Sequence, residues 1–144
     1  MKLRRIAVML LAAVMLVCTF TSCASTVKTK VKITFIDASG EIVIDPYEAE
    51  LKGDAPTVLD AVKAVKDAYA TAEDFGQITL SDDETSVIGV DGRNEDLSPN
   101  ANGEIAYWMF LVNGKEPNGD ANDVAVAEGD NIVFQYVTKT VEAE

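Results

Sequence analysis

The sequence predicts an α+β domain in which a single helix packs across one face of a mixed sheet, and three patterns carry that prediction. Val31-Lys32-Ile33-Thr34-Phe35 alternates apolar and polar residues at the period of a half-buried strand. Val58, Leu59, Val62 and Val65 recur at helical spacing, with Lys63, Lys66 and Asp67 on the opposite face. Tyr107 to Val112 is apolar at six consecutive positions, the pattern of a central strand covered on both faces.

Each element has its own boundary chemistry. The first strand runs over 31–37, and Ser39-Gly40 turns it back into a second extended stretch over 41–51. Pro46 interrupts that stretch, because proline donates no ladder hydrogen bond, so an edge or bulged strand is expected there. Gly53-Asp54-Ala55-Pro56 breaks the chain. Thr57 then N-caps the helix, with Asp60 in the position of a capping-box partner, and the helix ends near Tyr69. Residues 78–80 and 87–90 are short strands around the acidic run Asp82-Asp83-Glu84.

Residues 91–104 form a long polar loop with several turn signals, functional or mobile by the usual rule for loops of that length. After the Tyr107–Val112 strand, Asn113-Gly114 is a preferred type I′ hairpin pair, and residues 115–117 begin the return. Val124 and Val126 alternate, Glu128-Gly129-Asp130 turns, and Ile132, Phe134 and Tyr136 make the final strand. Residues 138–144 read as a charged tail. The order hairpin, helix, strands is the β-grasp plan, with a core of Val31, Ile33, Phe35, Leu59, Val62, Phe110, Val112, Ile132 and Phe134.

The first 22 residues read as an export signal. Met1-Lys2-Leu3-Arg4-Arg5 is basic, and Ile6 to Val17 is apolar throughout but too short to span a bilayer. Phe20-Thr21-Ser22-Cys23 resembles a bacterial lipobox, so Cys23 is the expected lipidation site and residues 23–30 a short linker. Several acyl chains on one cysteine anchor stably where one would be marginal. The expected location is the outer face of the bacterial cell membrane, reached through the lipid alone. Cutting before Cys23 leaves nine Lys and Arg against twenty-four Asp and Glu, a formal charge of −15. Such a polyanion has no basic patch for nucleic acid. Cys18 leaves with the signal, so no disulfide forms.

Histidine is absent, which removes Ser-His-Asp and Cys-His catalysis and any His-ligated metal. There is no phosphate-binding glycine loop and no nucleophile elbow. An enzyme is therefore the last of three function classes, and no catalytic residue is assigned.

Two constellations are candidate sites. Tyr107 and Trp108 could wall a small ligand, with Asn113, Gly114 and Lys115 at the rim and the 91–104 loop closing over them. The alternative is that Trp108 is a packing residue and that turn geometry alone demands Asn113-Gly114. Second, Asp91, Asn94 and Asp96, together with Asp120, Asn122 and Asp123, offer the oxygen ligands that calcium takes. Neither loop has EF-hand spacing, and solvated acidic loops show the same composition.

Three segments together resemble a known family. They are Thr57-Val58-Leu59-Asp60-Ala61, Trp108-Met109-Phe110-Leu111-Val112-Asn113-Gly114-Lys115, and Glu128-Gly129-Asp130-Asn131-Ile132. They are similar to the transcobalamin-like C-terminal domain, a β-grasp-type module, over residues 31–137. In the animal cobalamin carriers this domain closes over a corrinoid held mainly by an α/α barrel. The resemblance implies the fold, and cobalamin as the first ligand class to consider. A surface-anchored binding module is thus the leading reading. A calcium-binding or structural module that displays or partners another surface protein through its sheet edge is the alternative, and a monomer is expected.

Overall fold

The structure, a computed structural model, describes residues 27–70 and 77–141. The signal segment, Cys23 with its lipobox and the last three residues lie outside the described residues. Strand β1 spans Lys28–Ile36 and β2 spans Ile42–Lys52, paired antiparallel. The Asp37 carboxylate makes the turn between them, accepting from the Ser39 N–H at 2.8 Å, the Ser39 hydroxyl at 2.6 Å and the Glu41 N–H at 3.0 Å. Ile33 faces Tyr47 and Phe35 faces Ile44, so β2 holds two residues, Asp45 and Pro46, against Thr34 alone. That bulge accommodates the proline.

Helix α1, Val58–Tyr69, starts where the sequence places it. Thr57 Oγ1 accepts from the Asp60 N–H at 3.3 Å, and Asp60 Oδ2 accepts from the Thr57 N–H at 2.8 Å. Aspartate thus completes the reciprocal box despite being shorter than glutamate. The first two helical N–H groups, which no helix can satisfy internally, donate to the carbonyls of Val124 and Ala121. The 120–124 turn therefore clasps the helix N-terminus, which its acids also suit electrostatically. Val58, Leu59, Ala61, Val62 and Val65 are buried.

Strands β3 (Ile78–Leu80), β4 (Val87–Val90) and β5 (Arg93–Asn94) form a small antiparallel sheet in that order. Strands β6 (Glu104–Val112) and β7 (Asn131–Thr140) complete the main sheet, whose order is β2-β1-β7-β6. Strand β7 lies parallel to β1 at the centre, as the β-grasp plan requires, and antiparallel to β6. Helix and small sheet cover the same face, which carries Phe35, Trp108, Phe134 and Tyr136. Rings of Phe35 and Phe134 stack at 5.1 Å and those of Phe110 and Phe134 at 5.4 Å.

Several expectations are corrected, beginning with the linker, whose last three residues, 28–30, already belong to β1. The Tyr107–Val112 strand is not central but closes one edge, and of its nine residues only Trp108 is buried. A six-residue apolar run shows that both faces could be covered, not that anything covers them. Phe110 and Val112 are accordingly half-buried against the core, whereas the other seven expected core residues are fully inside. Residues 138–140 belong to β7, paired with Glu104–Ala106, rather than to a tail. The hairpin return after Asn113-Gly114 shrinks to one bridge between Val112 and Lys115.

Candidate functional site

Alternation along β6 sends Tyr107 and Trp108 to opposite faces of the sheet. Trp108 is 7% exposed. Its ring meets Phe35 edge-on at 6.3 Å and lies 5.2 Å from Tyr136, while Nε1 donates to the Arg93 carbonyl at 2.8 Å. Tyr136 repeats the device, its hydroxyl donating to the Asn94 carbonyl at 2.9 Å. The two aromatic donors latch β5 over the core. Trp108 is a packing residue, and Tyr107 cannot share a stacking wall with it.

Asn113 and Gly114 have φ of 52° and 77°, the positive pair that a type I′ turn needs. Asn113 does more than turn. Its Nδ2 donates to Asp130 Oδ1 at 2.8 Å, and its Oδ1 accepts from the Asn131 N–H at 2.9 Å, tying the hairpin to the start of β7. Lys115 is exposed beyond the turn. The 91–104 loop does not reach this turn. It pairs with β6 at the far end, through Asp96 and Ala106, so the expected convergence of loop and turn does not occur.

Asp91 and Asp96 serve as latch and turn groups. Asp91 Oδ2 accepts from Arg93 Nη1 at 3.2 Å, and Arg93 Nη2 lies 3.6 Å from Asp37 Oδ2. Hydrogen bonding from Ser39, reinforced by the Glu41 and Ser39 N–H groups and the Arg93 charge, holds the Asp37 carboxyl below its ordinary range. Asp96 Oδ1 accepts from the Ser98 N–H at 3.0 Å. Asn94 gives its carbonyl to Tyr136. Asp120, Asn122 and Asp123 sit in the turn that clasps α1. Among the described residues no group of three or more acidic side chains is arranged to hold a metal ion, so Asp91, Asp96, Asp120 and Asp123 do not gather as a set of carboxylate ligands.

Among the described residues a concavity lies elsewhere. A cleft of about 470 Å³ opens between the last turns of α1 and β3. Val65, Tyr69, Ile78 and Leu80 supply apolar lining, with Lys66 and Gln77 among the polar groups. Val65 and Ile78 are buried, while Lys66 and Gln77 are exposed. Across its far side Lys63 Nζ bonds Glu84 Oε2 at 3.0 Å, which lowers the Glu84 pKa and steadies the β3–β4 turn. Asp83 does the same from within, its carboxylate accepting from the hydroxyls of Ser81 and Thr85. Residues 71–76, which connect the two walls in sequence, lie outside the described residues. Sequence reading missed this cleft because its walls are local patterns of ordinary core type. Only their juxtaposition makes a concavity.

Residues 55–138 match a family model described as a domain of unknown function (DUF4430). No curated protein matches the chain. Among solved structures, haptocorrin in complex with Cbi is similar with a TM-score of 0.50 and 17% identity, over 83% of this chain and 29% of that one. A protein from Ruminococcus gnavus ATCC 29149, provisionally assigned to metal binding, is similar with a TM-score of 0.46 and 15% identity, over 79% of this chain and 99% of that one. The likeness to haptocorrin is one of fold, and this chain spans less than a third of haptocorrin's length.

Proposed function

The chain belongs to the family described as a domain of unknown function (DUF4430), and from that premise we propose that it is an exported, lipid-anchored module that binds a small ligand in the cleft between α1 and β3. The cleft carries this reading. Its volume falls within the range of small-molecule sites, and it combines an apolar lining with a few polar groups, the composition that such sites share. The field of a chain with twenty-four acids against twelve cations favours neutral or cationic ligands over anions. Corrinoids are the first class to test, on the strength of the fold shared with haptocorrin. A whole corrinoid exceeds this cleft, so one would rest against it with a face left open. Affinity no tighter than about micromolar is expected unless a partner covers that face. Catalysis has no part in this reading.

Equilibrium dialysis of the full chain against cyanocobalamin tests it, with Leu80→Lys filling the cleft and Lys115→Ala altering the distant hairpin. Binding lost in Leu80→Lys and kept in Lys115→Ala supports the cleft. The reverse pattern returns the site to the hairpin, and no binding at millimolar ligand removes corrinoids. The anchor is tested separately: Cys23→Ala should release the protein from membranes, and retention would mean that no lipid on Cys23 holds it.

A further inference from the structure

The two edges of the main sheet are protected to different degrees. Along β2 the outer edge has two register irregularities, Pro46 and the exposed acids Asp45, Glu48 and Glu50. Proteins use such devices to discourage a second chain from pairing with an edge. Strand β6 has none of them between Tyr107 and Leu111, and its register with β7 is unbroken.

Unbroken register means that backbone groups alternate strictly between the β7 side and the outer side. Ala106 marks the outer side, exchanging N–H and C=O with Asp96, both at 2.8 Å. Val112 does likewise with Lys115, at 2.9 and 3.1 Å. Trp108 and Phe110 fall between these two and point the same way. Their N–H and C=O groups have no partner among the described residues. Four unpaired backbone groups on an apolar edge form a template for an added strand.

We propose that this window, fenced by the chain's own pairings at Asp96 and Lys115, takes a short extended segment of a partner protein. The fences limit that segment to a few residues. A second copy of the chain is excluded as occupant on two grounds. Its own β6 would carry the same fences, and each copy brings a formal charge of −12. Charge also chooses the partner. Glu95 and Asp96 flank one end of the window, Lys115 and Glu116 offset each other at the other, and the chain as a whole carries twenty-four acids against twelve cations, so the segment is basic. Tyr107, Met109 and Leu111 lie half-buried on the uncovered face, so alternate residues of the segment are apolar. This surface is separate from the cleft between α1 and β3.

Amide hydrogen exchange of the full chain, read by NMR with and without a hexapeptide alternating valine and lysine, tests the proposal. The Trp108 and Phe110 amides should exchange fast in the free chain and slow about tenfold or more with peptide. The same peptide N-methylated at alternate residues should give no protection, and a valine–glutamate peptide much less. Protection of the two amides without any peptide would show that the chain covers its own edge and would overturn the proposal. So would protection that rises with protein concentration, which would mark a second copy. Equal protection by the N-methylated peptide would likewise overturn it, because backbone pairing would then not be the mode.

Discussion

Residues 108, 110 and 112 of β6 and residues 107, 109 and 111 differ by one position in the chain and occupy opposite surroundings. The even set faces α1 and the small sheet, where Trp108 and Phe110 join the ring cluster of Phe35 and Phe134. The odd set looks onto a face against which no described element packs. Both sets are apolar, so hydrophobicity does not distinguish them; coverage does. The even set holds the fold together, and the odd set is left available to something outside it.

The largest test of this contrast is a pair of truncations. Trp108→Ala should lose about 3–5 kcal/mol, the range for removing a buried aromatic ring. Tyr107→Ala, one residue away, should lose less than about 1 kcal/mol, as half-exposed positions usually do. Urea unfolding of both variants measures the difference. Equal losses would mean that the uncovered face is packed after all.

Where the sequence was legible, the determining interaction was local. Thr57 and Asp60 complete a box within four residues, Asn113-Gly114 carries its turn in its own dihedral preferences, and β1 shows its buried side by alternation. Where it was not, partners far along the chain decided the outcome. Nothing in residues 107–112 reveals that β7 pairs with β1 on one side and leaves β6 at an edge. The acidic loops illustrate a different limit. An Asp or Asn that accepts from the N–H two residues on, as Asp37, Asp83, Asp96 and Asn100 do, has the same composition as a calcium loop. Side-chain oxygens serve both uses, and only their direction separates them. The candidate site was the least legible part, since the cleft exists only between two walls.

A smaller effect sharpens the role of the even set. Trp108→Phe keeps a ring but removes the donor to the Arg93 carbonyl, at a cost of about 1–2 kcal/mol. Tyr136→Phe removes the matching bond to Asn94 at a more exposed position and should cost about half as much. Both bonds hold β5, so the double variant should fall short of additivity. Exchange of the Glu95 amide, which donates to Ile88 across the small sheet, should quicken more than that of the central β1 and β7 amides. A uniform change would mean that the latch is no more than general packing.

The smallest effect concerns charge at the rim of the covered face. Asp37 is held below the ordinary carboxylate range, first by the Ser39 hydroxyl and then by the backbone N–H groups of Glu41 and Ser39 and by Arg93. A carboxylate with a depressed folded-state pKa contributes stability above its ordinary range, and that contribution disappears as pH falls through the lower folded-state value. Asp37→Asn keeps the shape of the turn and one accepting oxygen but removes the titrating charge. The parent chain should therefore be slightly more stable than Asp37→Asn at neutral pH, with the gap closing only in acid, below the ordinary aspartate range. Asp83, Glu50 and Glu84 are depressed in the same direction, so the difference between the two chains is the informative quantity, not either melting curve alone. A gap that persists undiminished into strong acid would show that Asp37 works through turn shape. Arg93 would then cover Trp108 without help from the charge beside it.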